Sequence, residues 1–396
     1  MNGDIKRTLK FINGGKLCFG CGACAAACPL KGLRMIVDAD GFAYPRIDFS
    51  LCRNCGKCRM ACPVNFDDVL PKGDSEFFTV RHQSRDIRGA NTSGGAFTAL
   101  SDVVLSRGGA VVGAVWGPGF SVHHAVAFDA AGRDAMRGSK YVQSDSTGVF
   151  PEVRRILDEG GEVLFSGTPC QVAALYSFMG GRPERLTTMD FICHGVPSPL
   201  VFQDYLREME KRQGASIASV RCRDQRLGSV PMRMGIDFAD GSSYLDDCEH
   251  DPYFRLYLSG IINRRTCSQC PYARLRRGSD LTVADNWRFA VLVPEWDDNT
   301  GVSTVLVNTP RGRALLERAA DGLEIRTCRL QDVDQPCLHY PSDEHPDREL
   351  FFRAWRKRGF WAAADDFTRP RSLLRRLRSR LLKIGNALLG GKAVRA

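Results

Sequence analysis

The stretch CFGCGACAAACP, residues 18–29, and its repeat CRNCGKCRMACP, residues 52–63, decide the fold of the amino-terminal part of the chain. Each reads Cys-x2-Cys-x2-Cys-x3-Cys-Pro, and the second run follows the first by 34 residues. In this spacing three cysteines ligate one [4Fe–4S] cluster, and the fourth, before the proline, ligates the other cluster. The sequence therefore predicts a ferredoxin-like module that holds two [4Fe–4S] clusters.

The pairing rule divides the eight cysteines into two ligand sets. The first cluster takes Cys18, Cys21, Cys24 and Cys62, and the second takes Cys28, Cys52, Cys55 and Cys58. Zinc is the alternative metal, but zinc motifs usually consist of two separated Cys-x2-Cys pairs. We therefore favour iron–sulfur clusters. Between the two runs, LRMIVDADGFAYPRID (33–48) predicts a hairpin that turns at Asp40-Gly41.

Composition places the chain among ordinary globular proteins. It has 396 residues, of which 43% are hydrophobic and 25% charged. No apolar stretch is long enough for a membrane span, and the first residues do not resemble a signal peptide. Sixteen cysteines in such a chain indicate metal or redox work in a reducing compartment, so we expect a cytoplasmic protein.

The net charge of +10 is concentrated at the carboxyl terminus. Residues 369–396 contain nine Lys or Arg and no Asp or Glu, so the rest of the chain is nearly neutral. A nucleic-acid-binding protein carries basic residues over its folded surface, and we therefore expect no nucleic-acid partner.

A larger domain follows residues 71–74, where the pattern changes to alternating strands and helices. FFTVRH (77–82) and AVVGAVW (110–116) are typical of buried strands, and several helical segments follow. The predicted fold class is α+β or α/β with a mixed sheet. We predict a dicluster module over 1–72, a larger domain over 74–350 and a basic tail over 365–396. The sharp change of pattern also predicts that the larger domain folds without the module.

Five segments of the larger domain carry a resemblance to a known family. They are NTSGGAFTAL (91–100), GSKYVQS (138–144), FSGTPCQVAAL (165–175), DFICHGVPSP (190–199) and RTCSQCPYARLRRGSDLTVADNW (265–287). In this order they resemble the beta subunits of hydrogenases and dehydrogenases that use coenzyme F420, an 8-hydroxy-5-deazaflavin. The CHGVPSP form is most similar to bacterial members, many of them associated with polysaccharide synthesis. An amino-terminal dicluster ferredoxin is common in that family.

The resemblance implies a flavoprotein that binds FAD beside a [4Fe–4S] cluster. Thr92, Ser93, Gly94 and Gly95 precede a predicted helix. Their backbone N–H groups and hydroxyls, with the helix dipole, could cradle the flavin diphosphate. An ordinary helix N-cap is the alternative reading of the same residues.

The segment GSKYVQS supplies further candidates for the flavin site. The resemblance places Lys140, Tyr141 and Gln143 at the cofactor. Lys140 would neutralise a phosphate or stabilise an anionic reduced flavin, and we therefore also name it a catalytic candidate. A solvated surface lysine is the alternative.

Four more cysteines predict a third cluster. Cys170 and Cys193 follow successive predicted strands and are expected at one edge of the sheet, while Cys267 and Cys270 form a Cys-x2-Cys pair before Pro271. The alternative is a redox-active pair with two buried structural thiols. His194, the second catalytic candidate, would bond a cluster sulfur or move a proton near the flavin, or else be structural. The remaining thiols are expected to be buried fillers: Cys222, Cys248, Cys328 and Cys337.

The tail predicts a basic amphipathic helix. Its apolar face consists of Leu374, Leu377, Leu381, Ile384 and Leu388, with arginines on the other faces. Such a helix can lie on the inner face of an anionic membrane, dock on a partner or pack on its own domain.

The function that these features favour is an FAD- and iron–sulfur-dependent oxidoreductase. It would exchange electrons with a ferredoxin-like redox protein, and its flavin would act on an organic substrate or on the deazaflavin coenzyme. The alternative is a non-catalytic electron-relay subunit of a larger redox complex.

Overall fold

The computed structural model describes residues 17–65, 70–71 and 73–368. In the amino-terminal module, the helices are α1 (Ala23–Ala26) and α2 (Lys57–Met60), and the strands are β1 (Leu33–Val37) and β2 (Ala43–Ile47). The two strands pair antiparallel with Val37 opposite Ala43, so the predicted hairpin is confirmed. Gly41 in its turn has a φ of 89°, a backbone conformation that favours glycine. Most of the predicted tail, from residue 369 onward, lies outside the described residues.

A mixed eight-stranded sheet forms the centre of the larger domain. Its strands are β3 (Glu76–His82), β4 (Ala110–Trp116), β5 (Val122–Ala127), β6 (Val163–Ser166), β7 (Leu186–Phe191), β11 (Leu281–Asp285), β12 (Ser303–Val307) and β13 (Leu323–Cys328). They lie in the order β13-β3-β12-β11-β7-β6-β4-β5. The four strands β4, β6, β7 and β11 run parallel, whereas β5 and β12 pair antiparallel with their neighbours. The predicted mixed-sheet fold class is confirmed. The loops after the four parallel strands meet at one edge of this sheet.

Twelve helices accompany the sheets of the larger domain in the described part of the chain. They are α3 (Arg85–Gly89), α4 (Ala96–Ser106), α5 (Ala130–Asp134), α6 (Val149–Asp158), α7 (Pro169–Met179), α8 (Pro199–Gln213), α9 (Pro252–Leu258), α10 (Phe289–Leu292), α11 (Pro310–Arg318), α12 (Leu330–Val333), α13 (Arg348–Arg358) and α14 (Phe360–Thr368). Helices α4 and α11 cover one face of the large sheet, and α6 and α7 cover the other.

A second core lies beside the large sheet. Its three-stranded sheet consists of β8 (Ile217–Arg221), β9 (Arg233–Phe238) and β10 (Ser243–Asp247), in the order β10-β9-β8. Residues of α8, α9, α13 and α14 pack with it into one apolar cluster. Among the described residues, no helix is long and apolar enough to cross a membrane.

The amino-terminal module is part of the same packing. Helix α7 buries residues around most of its circumference, which is typical of a helix with protein on both sides. Ala23 and Ala61 of the module pack in its cluster, and the Ser177 hydroxyl donates to the Met60 carbonyl oxygen at 2.9 Å. Phe42, from the hairpin turn, is buried in the second core. This packing joins the module to the larger domain, and the folding of the larger domain without the module stays a prediction.

Candidate functional site

The first predicted ligand set is half-buried and lies between the module and the larger domain, with Cys24 in α1. Electrostatic interactions link Cys24 with Cys18 and Cys62, and Cys21 with Cys18 and Cys24. Burial, then the neighbouring thiols, raise the pKa of Cys24 far above its usual value. The backbone N–H groups of Ala23 and Ala25 bond the Cys21 and Cys24 thiols. The other three thiols of the set therefore interact electrostatically with Cys24, which also interacts with Cys58 of the second set, and backbone donors point at two of the sulfurs.

The second set lies at the surface of the module. Cys52 and Cys55 are exposed, while Cys28 and Cys58 are half-buried. Burial raises the pKa of Cys58, and the thiols of Cys55 and Cys28 raise it further. The N–H of Asn54 donates to the Cys52 sulfur at 3.4 Å. The structure thus brings Cys28 of the first run to the second run, as the ligand exchange between the two runs requires.

A third set forms at the sheet edge where β6 and β7 end. Cys170 lies in the first turn of α7, whose Thr168 hydroxyl contacts its sulfur at 3.1 Å. Cys193 lies two residues beyond β7, and its sulfur accepts from the Gly195 N–H at 3.4 Å. A Cβ on Gly195 would lie 3.4 Å from the Cys267 Cβ. The loops that follow the strands therefore meet the Cys-x2-Cys segment.

Each of the four thiols of the third set interacts electrostatically with at least one other thiol of the set. Burial and, to a smaller extent, the neighbouring thiols raise the pKa of Cys170 to about 12 and that of Cys267 to about 11. Cys193 interacts with Cys267, Cys170 and Cys270. A redox-active cysteine pair has a lowered thiol pKa in a partly exposed site. The thiols of the third set are half-buried too, but their pKa values are raised, which favours a cluster over the redox pair.

Zinc is the alternative metal for a set of four thiolates. Within the described part of the chain, Asp246, Asp247 and His250 place three potential ligand atoms within 4.8 Å of one another. For the cysteines, the spacing of the two Cys-x2-Cys-x2-Cys-x3-Cys-Pro runs favours [4Fe–4S] clusters over zinc.

Arg264 joins the first and third cysteine sets, and sequence reasoning missed it. Its side chain is 1% exposed, and it donates to the carbonyl oxygens of Cys18 at 2.9 Å and Ala43 at 3.0 Å. Its Nη2 also lies 3.8 Å from the Cys18 sulfur. Its positive charge lowers the pKa of both Cys170 and Cys267 against the larger effect of burial. Arg264 directly precedes the segment RTCSQC (265–270), and this position next to the Cys-x2-Cys pair is the sequence signal that could have identified it.

No carboxylate among the described residues pairs with Arg264. A fully buried cation is costly unless a negative charge lies nearby. Cysteine thiolates that ligate metal provide such charge. The buried guanidinium therefore fits iron–sulfur clusters on both sides of it.

The residues predicted to cradle a diphosphate lie at the head of α4. The Ser93 hydroxyl donates to the Val302 carbonyl oxygen at 2.9 Å, and the Thr92 hydroxyl accepts from the Ser139 N–H at 2.6 Å. A Cβ on Gly94 would lie 2.6 Å from both the Ser303 nitrogen and the Val80 oxygen. Gly95 has a φ of 82° as the residue before the helix. The two hydroxyls and Gly94 thus have structural roles in holding this turn. The backbone N–H groups are the donors of this segment that could bind a ligand.

Lys140 does not lie on the solvated surface. Its ammonium donates to the carbonyl oxygens of Met136, Arg137 and Gly138 at 3.2, 2.9 and 3.2 Å. Burial lowers the pKa of Lys140 to about 8. Since Ser139 bonds Thr92, the lysine fixes a turn beside the head of α4.

Tyr141 belongs to a polar group that joins three segments. Its hydroxyl accepts from Arg223 at 3.2 Å, and Arg223 also donates to Asp285 at 2.7 Å, at the end of β11. Its ring stacks on Tyr257 at 4.8 Å. Arg223 is a second residue that sequence reasoning missed, because nothing in RDQRLGS (223–229) shows which segment it meets.

The two remaining candidates have structural partners. Gln143 donates to the Phe19 carbonyl oxygen at 2.9 Å and accepts from Arg264 at 3.2 Å, so it faces the first cysteine set. His194 has its Nε2 3.0 Å from the Leu258 carbonyl oxygen and its Nδ1 3.0 Å from the Ser342 hydroxyl. With both ring nitrogens bonded, His194 is anchored at the third cysteine set.

The four other cysteines do not join the three sets. Cys222 is buried, as expected, but Cys248, Cys328 and Cys337 are only half-buried. The expectation of buried fillers therefore holds for Cys222 alone.

Two family models match the chain. Residues 17–66 match the 4Fe-4S dicluster domain. Residues 160–333 match the model that describes the carboxyl terminus of the beta subunit in coenzyme F420 hydrogenase/dehydrogenase. The range matched by the beta-subunit model covers 174 of the 396 residues. All four cysteines of the third set lie within this range, whereas residues 92–95 and 138–144 precede it.

A solved structure of the F420-reducing [NiFe] hydrogenase complex from Methanosarcina barkeri contains a chain similar to this one. The two share 17% identity with a TM-score of 0.46, over 74% of this chain and 91% of that chain. No curated protein sequence matches. The chain thus carries a region that matches a 4Fe-4S dicluster domain and a region similar to the beta subunits of F420 hydrogenases and dehydrogenases.

Proposed function

We propose that this chain is an iron–sulfur flavoprotein oxidoreductase with three [4Fe–4S] clusters and one FAD. It would exchange electrons with a protein carrier and act on an organic two-electron substrate or a deazaflavin. The observation that carries the proposal is the third cysteine set, Cys170, Cys193, Cys267 and Cys270, at the carboxyl edge of the parallel strands. Bound clusters carry single electrons, and a bound flavin links one-electron to two-electron chemistry.

The arrangement of the cysteine sets supports a continuous chain of sites. Cys21 of the first set interacts electrostatically with Cys170 of the third. Phe19, next to Cys18, packs in one apolar cluster with Cys170 and Cys270. Cys24 of the first set also interacts electrostatically with Cys58 of the second set, so the first set lies between the other two. The protein itself would hold the three cysteine sets in this order and shield the first and third sets from water.

The head of α4 is the place where the chain would hold the flavin phosphates. Within the described residues, the backbone N–H groups of Ser93, Gly94 and Gly95 make no hydrogen bond. Helix α4 has eleven residues, and its positive end adds to these donors. Donors of this kind suit a diphosphate, and they depend on the turn that Lys140 and Ser139 fix.

The second candidate is the electron-relay subunit, in which a partner holds the site of substrate conversion. The anchoring of His194 favours it, because a ring with both nitrogens bonded is not free to take up a substrate proton. Turnover of a deazaflavin or of an artificial donor by the isolated chain would favour the oxidoreductase. Electron uptake without turnover would favour the relay.

Bound FAD is expected to be released when the purified protein is denatured. We expect about one flavin per chain, measured by visible absorbance and chromatography. Lys140→Ala should lower the flavin content at least twofold, because it frees the carbonyl oxygens that hold the turn next to Thr92. Lys357→Ala, at an exposed position of α13, is the matched control and should leave the flavin content unchanged. A preparation with full clusters and no flavin would remove FAD from the account.

A further inference from the structure

The two cysteine runs of the module differ sharply in exposure and charge. Between Cys18 and Cys28 no residue is exposed and none is charged. Between Cys52 and Cys62 most side chains are exposed, including Cys52 and Cys55, and three are basic with no acidic residue among them. The two runs have the same cysteine spacing, so ligation of a cluster does not explain this difference.

The exposed residues around the second set form one surface, here called the cluster-two face. It consists of Leu30, Lys31, Leu51, Arg53, Asn54 and Lys57. The loops that carry them meet, since a Cβ on Gly32 would lie 3.0 Å from the Leu51 Cβ. Leu30 and Leu51 are 47% and 40% exposed. The face therefore has apolar side chains next to cationic ones.

Among the residues that the structure describes, the cations of the cluster-two face have no acidic partner. Lys31, Arg53 and Lys57 form no ion pair with any described residue, whereas many arginines of the larger domain pair with carboxylates. Asp48 is the acidic residue between positions 41 and 62, and its carboxylate accepts from the Ser50 N–H at 3.0 Å and hydroxyl at 2.6 Å. Positive charge next to the exposed cysteine loop favours an anionic binding partner.

We propose that the cluster-two face is the docking site of a small acidic electron-carrier protein of the ferredoxin type. This docking proposal rests on the proposed function. It adds the point at which electrons enter the protein and the charge of the partner that delivers them. In each encounter the reduced carrier is oxidised by one electron and this protein is reduced by one electron. No bond is formed or broken and no proton is required.

The composition of the face favours a protein carrier. Transient redox complexes bury a small area, and complementary charge accelerates their encounter by about 10- to 1000-fold at low ionic strength. Exposed leucines supply the apolar contact that a protein interface needs at its centre. Electron transfer also weakens steeply with distance, and Cys52 and Cys55 are the exposed members of the twelve cluster cysteines.

The test is the rate at which a reduced acidic [4Fe–4S] ferredoxin reduces the full-length, cluster-replete protein, measured by stopped flow. For the wild type, the second-order rate constant should fall at least tenfold between low and high ionic strength. Lys31→Glu/Arg53→Glu/Lys57→Glu should lower it at least tenfold at low ionic strength. The matched control Arg185→Glu/Arg318→Glu/Lys357→Glu changes the same charge at exposed positions elsewhere and should stay within twofold.

Two control measurements show whether a change in the ferredoxin rate reflects docking or a loss of clusters. Iron content and reduction by dithionite should be the same in wild type and both variants, which shows that the clusters are intact. Equal ferredoxin rates in the two variants, or a wild-type rate that does not depend on salt, would overturn the docking proposal. If the cluster-two variant loses iron, the salt dependence of the wild type decides alone. A protein that lacks flavin or the third cluster but shows the predicted salt dependence would contradict the proposed function and leave the docking site standing.

Discussion

Cys267→Ser is expected to lower the iron content of anaerobically purified protein from about twelve to about eight atoms per chain. Cys267 is one of four thiols that share a buried space, and its electrostatic partners include Cys270. Serine retains the size of the side chain but is a poor ligand for iron, so the third cluster should be lost whole. The module should keep its two clusters, because its eight cysteines are unchanged.

The control for this experiment is Cys248→Ser, which changes a half-buried cysteine outside the three sets. Its iron content should equal that of the wild type. Colorimetric iron and sulfide assays per chain give both numbers. About eight iron atoms in the wild type, unchanged in Cys267→Ser, would remove the third cluster from the account.

Arg264→Leu is expected to destabilise the protein by about 3 to 5 kcal/mol, the usual cost of removing one member of a buried charged network. The substitution leaves the Ala43 carbonyl oxygen and the Gln143 side chain without their donor. It also removes the positive charge between the first and third cysteine sets. Since Arg264 connects the module to the larger domain, we expect the module to loosen first.

Thermal unfolding under anaerobic conditions should show a fall in the midpoint of about 5 to 15 °C for Arg264→Leu. Iron loss at a fixed temperature should also be faster than in the wild type. Arg264→Lys keeps the charge and should recover part of the loss. Arg185→Leu, an exposed arginine, should change stability by less than about 0.5 kcal/mol. An Arg264→Leu protein as stable as the wild type would show that the buried charge is not needed at this boundary.

Local patterns were sufficient for much of the fold. The turn at Gly41 and the buried strand Ala110–Trp116 both follow from spacing or periodicity within a short stretch. The meeting of Cys170 and Cys193 at one sheet edge follows from the parallel order of β6 and β7. These features depend on neighbours in sequence or on general topology rules.

The rest depends on contacts between distant segments. Arg264 meets Cys18 and Ala43 across more than two hundred residues, and no local pattern indicates that contact. The same holds for Phe42, whose burial in the second core ties the module to the larger domain. The change of pattern near residue 73 predicts a boundary between independent units. A change of periodicity shows where the architecture changes, but it does not show how the two units pack.

Low-temperature electron paramagnetic resonance of the fully reduced, full-length protein tests whether the three cysteine sets hold one continuous chain of clusters. Because the thiols of Cys21 and Cys170 interact electrostatically, paramagnetic clusters bound through them should lie close enough to couple magnetically. We predict about three spins per chain and a split or broadened signal that simplifies in Cys267→Ser. A spin count of about two, with a spectrum that Cys267→Ser leaves unchanged, would contradict the account.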